Sequence, residues 1–595
     1  MERVPPELLA RVFAELDPRS LAHACADTVW AHVARTHHFT AARDLRAALA
    51  RYHYGAEHAS AAAYFDDVRS FAGLCAARTL LDTRWGTRAA PHVDTAADTL
   101  ELRPRVQYYR PSGADEEVWR IKLEYVRDSR SPYENCLIES LASGGVRTLD
   151  IHTGAVLWST GAPDARPYPH LEFADGWLVF DRDAPGHFEV WRSARLVPDA
   201  REAHRGEFVR YTILDVPEMV RAYRLQFPTL ALYVARSHSV TIHDTYAEMD
   251  VRAKSLVRSL PLADTLHAHR NIHYIEFDEA HLFLVGFGYN RVSILSRESG
   301  AVLWTLGEHI RTHGAPECYR SAPLRPDERH ALLLREQVRV PPPRWLTALA
   351  HWAPHDPAQL AYAWHAVHAD RDTDTLVVLG ESGLLLLPAY HAMLRGEPTP
   401  PARMHLFATE RDARLVDEED ADDLLDALRF RRRPRAEMHG QLSVANGRVA
   451  AVFETFTLLD LHAPTRGRDT AHNALEVPFA VYEWSDLPNA FDWYAGPIDQ
   501  FRGCSCVQMD ATGVYCVTRQ ALDREVGVTP ADFPEGYQEA CIQHDSSMVT
   551  GFHFDTRAEP PAVLAREDIT RARSPAPDPL EQLVAAELHT RSASV

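Results

Sequence analysis

Histidine is the residue whose clustering first suggests chemistry in this chain. His267, His269 and His273 fall close together, and His351, His355, His365 and His368 form a second group. A metal centre needs three or four ligands converging on one point, each held by further hydrogen bonds. In a chain with 32 histidines, linear closeness alone points to scattered surface imidazoles, so no metal ligand is assigned. Cys504 and Cys506 would share one face of a strand, and no second pair completes a tetrahedral set. The turn Gly380-Glu381-Ser382-Gly383 is not the Gly-x-Ser-x-Gly elbow of a hydrolase. No glycine-rich phosphate loop with a following Lys occurs, and no His-Glu-x-x-His. The expectation is therefore a chain with no catalytic residue, no metal and no cofactor.

Composition narrows the partners. A chain of 595 residues with a formal charge of −20 is long enough for more than one domain or for a repeat architecture. That charge argues against nucleic acid, whose phosphates need a basic face, and against an anionic membrane surface. No apolar run reaches the roughly eighteen residues that span a bilayer. The first residues lack the basic and apolar regions of a signal peptide. Eight scattered cysteines read as free thiols rather than a disulfide framework. Cytoplasm, nucleus or both is the expected location.

The elements begin with a compact helical unit. Pro6 suits a first helical turn, where a missing N–H costs nothing, and Glu7 complements the positive end of the helix dipole. Leu8, Leu9, Val12, Phe13 and Leu16 recur at helical spacing. Asp17-Pro18 stops that helix and starts another, which turns Leu21, Ala24, Cys25 and Val29 inward before Trp30. So small a unit cannot bury that much apolar surface by itself and needs a partner.

The segment from Pro5 to Leu21 resembles the F-box, whose pattern is Leu-Pro-x-Glu-Leu-Leu, two residues, Ile-Phe, a Leu, Asp-Pro and a further Leu. Val4 stands for the first Leu and Val12 for the Ile. Ala26-Asp27-Thr28-Val29 departs from the family's Val-Cys before the Trp, one residue short. The resemblance implies that Pro5, Pro6, Leu8, Leu9, Val12, Phe13, Leu16 and Leu21 dock on a Skp-type adaptor carried by a cullin scaffold. Helical patterns continue: Leu45, Ala48, Leu49 and Tyr52 share one face, and Tyr64, Phe65, Val68, Phe71, Leu74 and Cys75 another, up to Trp85-Gly86. A helical linker before a propeller is a further feature of such F-box proteins.

From about Val118 the texture becomes short β-type runs broken by turns. Gly145 to Ile151 is turned at His152-Thr153-Gly154 into Ala155-Val156-Leu157-Trp158. Arg291 to Leu295 is turned at Glu298-Ser299-Gly300 into Ala301-Val302-Leu303-Trp304, and Gly-Ala-Val-Leu-Trp is identical in both places. Weaker echoes include Trp177–Asp181 with Phe188–Trp191, Leu376–Gly380, Val449–Phe453 and Val514–Val517. Repeated strand–turn–strand units of this kind predict a β-propeller of seven or eight blades. Glycine would take positive φ at each hairpin, and Trp158, Trp191 and Trp304 would pack between blades. The repeats lack the Gly-His to Trp-Asp signature and resemble the blades of quinoprotein propellers more closely. An acidic run at Asp417–Asp423 followed by Arg429 to Arg435 reads as a solvated loop near 412–436.

The expected architecture is multidomain. A small all-α F-box over 1–50 and a helical linker over 51–100 precede an all-β propeller over 101–565 and a flexible tail over 566–595. The resemblance implies a substrate receptor of a Skp-cullin-F-box ubiquitin ligase, of fungal type, that is not itself an enzyme. It works by proximity, raising the concentration of a target near the ubiquitin thioester. The residues that hold the target are not identified by the sequence. Two alternatives are a quinoprotein-like propeller oxidoreductase, which predicts an exported Ca²⁺-binding protein with a disulfide, and a propeller scaffold that recruits the adaptor without degradation.

Overall fold

The computed structural model describes Ser70 and the residues from Glu101 to His553, except for connections of which 350–363, 409–440, 485–503 and 521–545 are the longest. The F-box segment, the linker, the acidic and basic runs and the tail lie outside the described residues.

Strands dominate, and the described helices are few: Leu306–His313, Tyr390–Leu394 and a single 3-10 turn at Ala194–Leu196. The described strands form seven sheets, arranged radially as a propeller. Their innermost strands are Val118–Glu124, Leu171–Ala174, Met219–Gln226, Ile272–Phe277, Trp364–Asp370, Gln441–Ala445 and Cys506–Met509. Each of these lies beside the next, and the last returns to the first. Six blades each take their four inner strands from one run of chain, beginning at Val118, Leu171, Met219, Ile272, Trp364 and Gln441, and the fifth and sixth carry further strands at the rim. The seventh sheet is composite. Its strands Cys506–Met509, Gly513–Gln520 and Ser546–His553 are completed by Arg105–Tyr109 from far upstream, paired antiparallel with Ser546–His553.

The expectation of seven or eight blades is corrected accordingly: the blades number six among the described residues, and the remaining sheet is composite. The signal it missed is non-local, since the composite sheet depends on pairing across more than four hundred residues (Tyr109 opposite Val549).

The core is a set of wedges between neighbouring sheets, and strand alternation builds it. In Cys136–Leu141 every residue is buried. Leu137 packs toward the seventh sheet, with Tyr515 and Val517, while Ile138 packs toward the second blade, with Phe173 and Phe180. The run Gly383–Pro388 works the same way. Leu385 and Leu387 join the wedge shared with the fourth blade, and Leu384 and Leu386 join the wedge shared with the sixth. A continuous apolar run is what a strand needs when both its faces are covered.

The repeated pentapeptide adopts one conformation twice. Gly154 and Gly300 take φ of 69° and 71°, the left-handed region that suits a residue without Cβ. Gly154 N–H donates to Asp150 O, and Gly300 N–H to Ser296 O, each at 2.8 Å. Trp158 then lies opposite Thr148 and Trp304 opposite Ile294. Trp158 meets Trp191 of the next blade edge-on at 5.1 Å. Trp304 packs against the wedge between the fourth and fifth blades and donates from Nε1 to His309 Nδ1 at 3.1 Å. All three tryptophans are partly buried packing elements.

Candidate functional site

The inner strands bring charged residues to the propeller axis. Lys122, Glu172, Arg224, Glu276 and His368 come from the first to the fifth blade in order, and all five are buried. Lys122 Nζ lies 3.4 Å from Glu172 Oε2, and Arg224 Nη1 lies 3.3 Å from the same oxygen. Arg224 Nε reaches Glu276 Oε2 at 2.9 Å, and His368 Nδ1 lies 3.0 Å from that oxygen. Lys122, Glu172, Arg224 and Glu276 thus form a belt of alternating charge, one member from each of the first four blades, and His368 extends it to the fifth. His170 Nε2 adds a contact to Glu172 Oε1 at 3.0 Å. Gln226 donates to Glu276 Oε1 at 2.9 Å. On the other side of the axis, Arg120 donates to Gln441 at 2.9 Å and to the carbonyl of Ser505 at 2.6 Å, tying the first blade to the sixth and seventh.

Burial alone would raise the Glu172 carboxyl. Lys122 and Arg224 beside it, with His170, reverse that and hold it well below the usual carboxylate range. Such a group stays ionised and fixed. It suits a tie between blades better than proton transfer, which wants a group poised near the working pH.

Glu124, two residues further along the first inner strand, is the opposite case. It is 4% exposed, and burial pushes its carboxyl up to about 7 against the pull of a Ser193 hydrogen bond, Arg195 and Arg205. The nearby Cys136 thiol is pushed up to about 12, first by burial and then by Glu124. It is therefore a packed thiol rather than a nucleophile. Cys318, Cys504, Cys506 and Cys516 are likewise buried.

Of the histidines singled out by the sequence, His368 is engaged through both ring nitrogens, by Glu276 and by the Tyr274 hydroxyl at 3.0 Å. His267, His269, His351 and His355 lie outside the described residues, as does the side chain of His273. The structure instead gathers a group that linear spacing concealed: Asp278 and His281 in the first turn of the fourth blade, and His391 in the short helix of the fifth. The only local sign of it was a carboxylate and an imidazole three residues apart. The third member lies more than a hundred residues on.

Pro5, Pro6, Leu8, Leu9, Val12, Phe13, Leu16 and Leu21 lie outside the described residues. No family model matches the chain, and no curated protein matches it. Among solved structures the chain is similar to the computationally designed Ika8 protein, at 11% identity over 75% of this chain and 99% of that one. The TM-score is 0.34, a likeness too slight to inform fold or function.

Proposed function

We propose that this chain is a substrate-binding subunit of a Skp-cullin-F-box ubiquitin ligase. Residues 1–50 fold as the F-box and dock on a Skp-type adaptor, and 51–100 form a helical linker. The propeller holds a target protein in the cytoplasm or nucleus. The observation that carries this reading is the pattern Pro5-Pro6-Glu7-Leu8-Leu9 to Val12-Phe13 and Leu16-Asp17-Pro18 standing ahead of a closed propeller. The strand that closes the ring, Arg105–Tyr109, follows the linker almost at once.

On this reading the chain makes no bond itself. It supplies a rigid platform, and rate comes from holding target lysines near the thioester. The belt on the axis supports that role, because its charges are spent on each other. The test is recovery of the adaptor from the native host with wild type and with Leu8→Ala/Phe13→Ala. Wild type retains adaptor and the double variant loses it. Equal recovery by both would sink the proposal. Targets that accumulate on wild type when the cullin is inhibited separate degradation from scaffolding.

A further inference from the structure

We propose that Asp278, His281 and His391 form a binding site for a divalent transition metal of the zinc class, bridging the fourth and fifth blades. The first argument is convergence. His281 Nδ1 lies 3.0 Å from Asp278 Oδ2, and His391 Nε2 lies 3.2 Å from the same oxygen. The three ligand atoms all fall within 4.8 Å of one another. Around a tetrahedral zinc ion, neighbouring ligand atoms sit roughly 3.3 Å apart, given bonds near 2.0–2.1 Å. Two imidazole nitrogens from different blades and one carboxylate oxygen thus lie close enough together to share a cation.

The second argument is the support behind each ligand. His391 Nδ1 lies 2.5 Å from Asp374 Oδ1. A ligating histidine whose other nitrogen is held by a carboxylate is the recurrent pattern of zinc sites, because it fixes the ring and raises its basicity. Asp278 is fixed as firmly. Its Oδ1 accepts from the backbone N–H groups of Ala280 and His281 at 2.7 and 2.6 Å, and its Oδ2 accepts from the Tyr390 hydroxyl at 3.0 Å. The Asp278 and Tyr390 side chains are buried, while the His391 side chain is 34% exposed. The pocket is thus firm at its base and open to solvent on one side. Three protein ligands and an open fourth position fit zinc with a bound water, and the N₂O set disfavours softer metals that seek sulfur.

The competing occupant is a proton. A protonated His391 between Asp278 and Asp374 would satisfy the same geometry without metal, and the experiment decides between them. The full chain is freed of metal, then titrated with Zn²⁺ by calorimetry and with Co²⁺ by visible absorption. The expected result is one tight equivalent with the d–d bands of a tetrahedral cobalt site. His391→Ala and His281→Ala should each weaken it by about 100-fold or more, and Asp374→Asn by about 10–100-fold. His187→Ala, at an exposed histidine paired with Asp183, should leave it unchanged. Absence of a tight equivalent, or one that persists in His391→Ala, overturns the proposal. If His391→Ala fails to fold, Asp374→Asn at a part-exposed position decides in its place.

Discussion

The first four blades and the next two solve one mechanical problem at opposite ends of the sheet. In the first four, the outermost strands Val156–Ser159, Phe208–Asp215, Ser255–Pro261 and Val302–Thr305 each end their sheet among the described residues. In the fifth and sixth, the rim is laced. Glu317–Ser321 pairs parallel with His405–Ala408, Gln337–Val340 pairs with Glu317–Ser321 and with Thr465–Arg468, and Leu332–Leu334 pairs with Ala480–Trp484. An unpaired sheet edge invites wrong pairing, and bulges and charges guard against it. Each of the four open rims has a register shift in its last pairing, and none occurs in the corresponding pairing of the two laced blades. The open blades are joined instead at the hub, where the charged belt links the first blade through to the fifth.

That contrast predicts where each half breaks. Glu172 sits between two cations at the hub, so Glu172→Ala leaves Lys122 and Arg224 buried with too little opposing charge. Removing one partner of a buried pair costs about 3–5 kcal/mol, read as a fall in the urea midpoint at neutral pH. A loss below about 1 kcal/mol would mean that the belt does not hold the open half together.

At the rim the sensitivity should invert between halves. Leu406 is 1% exposed and lies between Leu385 on one side and Cys318 on the other. Leu406→Ala should cost about 2–5 kcal/mol through lost burial and the cavity left behind. Leu256, on the open rim of the third blade, is 59% exposed, and Leu256→Ala should stay within about 0.5 kcal/mol. Similar losses at the two sites would show that the third blade's edge is covered in solution.

The same contrast explains what could be read from the chain in advance. The open blades were legible because their hairpins are local: Gly154 and Gly300 mark identical turns, and the tryptophans after them pack as their type demands. The laced rim was not legible. A parallel pairing such as Cys318 with Leu406 leaves no local period, and Gly383–Pro388 looks only like a short apolar run. The belt was hidden for a related reason, since Lys122, Glu172, Arg224 and Glu276 each look like an ordinary exposed charge in a strand. Only closing the ring turns them inward to face one another. The Asp278 group shares that fate, its histidines being brought together by two adjacent blades rather than by spacing.

Two buried carboxylates on neighbouring inner strands give the finest test. Glu172 is held by cations and stays charged, whereas Glu124 is pushed up to about 7 from a reference of 4.5, chiefly by burial. Well below pH 4.5 Glu124 is protonated in both the folded and unfolded chain and costs nothing. Between 4.5 and 7 the folded state holds a proton that the unfolded state has lost, so stability falls as pH rises through that window. Above 7 the full penalty of a buried charge is present, on the order of 3 kcal/mol for a shift of this size. Glu124→Gln removes the charge and keeps the shape. The variant should match wild type in acid and gain steadily over it as pH passes from 4.5 to 7, seen as diverging melting temperatures. A constant difference across that range would mean that Glu124 keeps an ordinary pKa, and that the hub of the first blade tolerates charge as well as the second does.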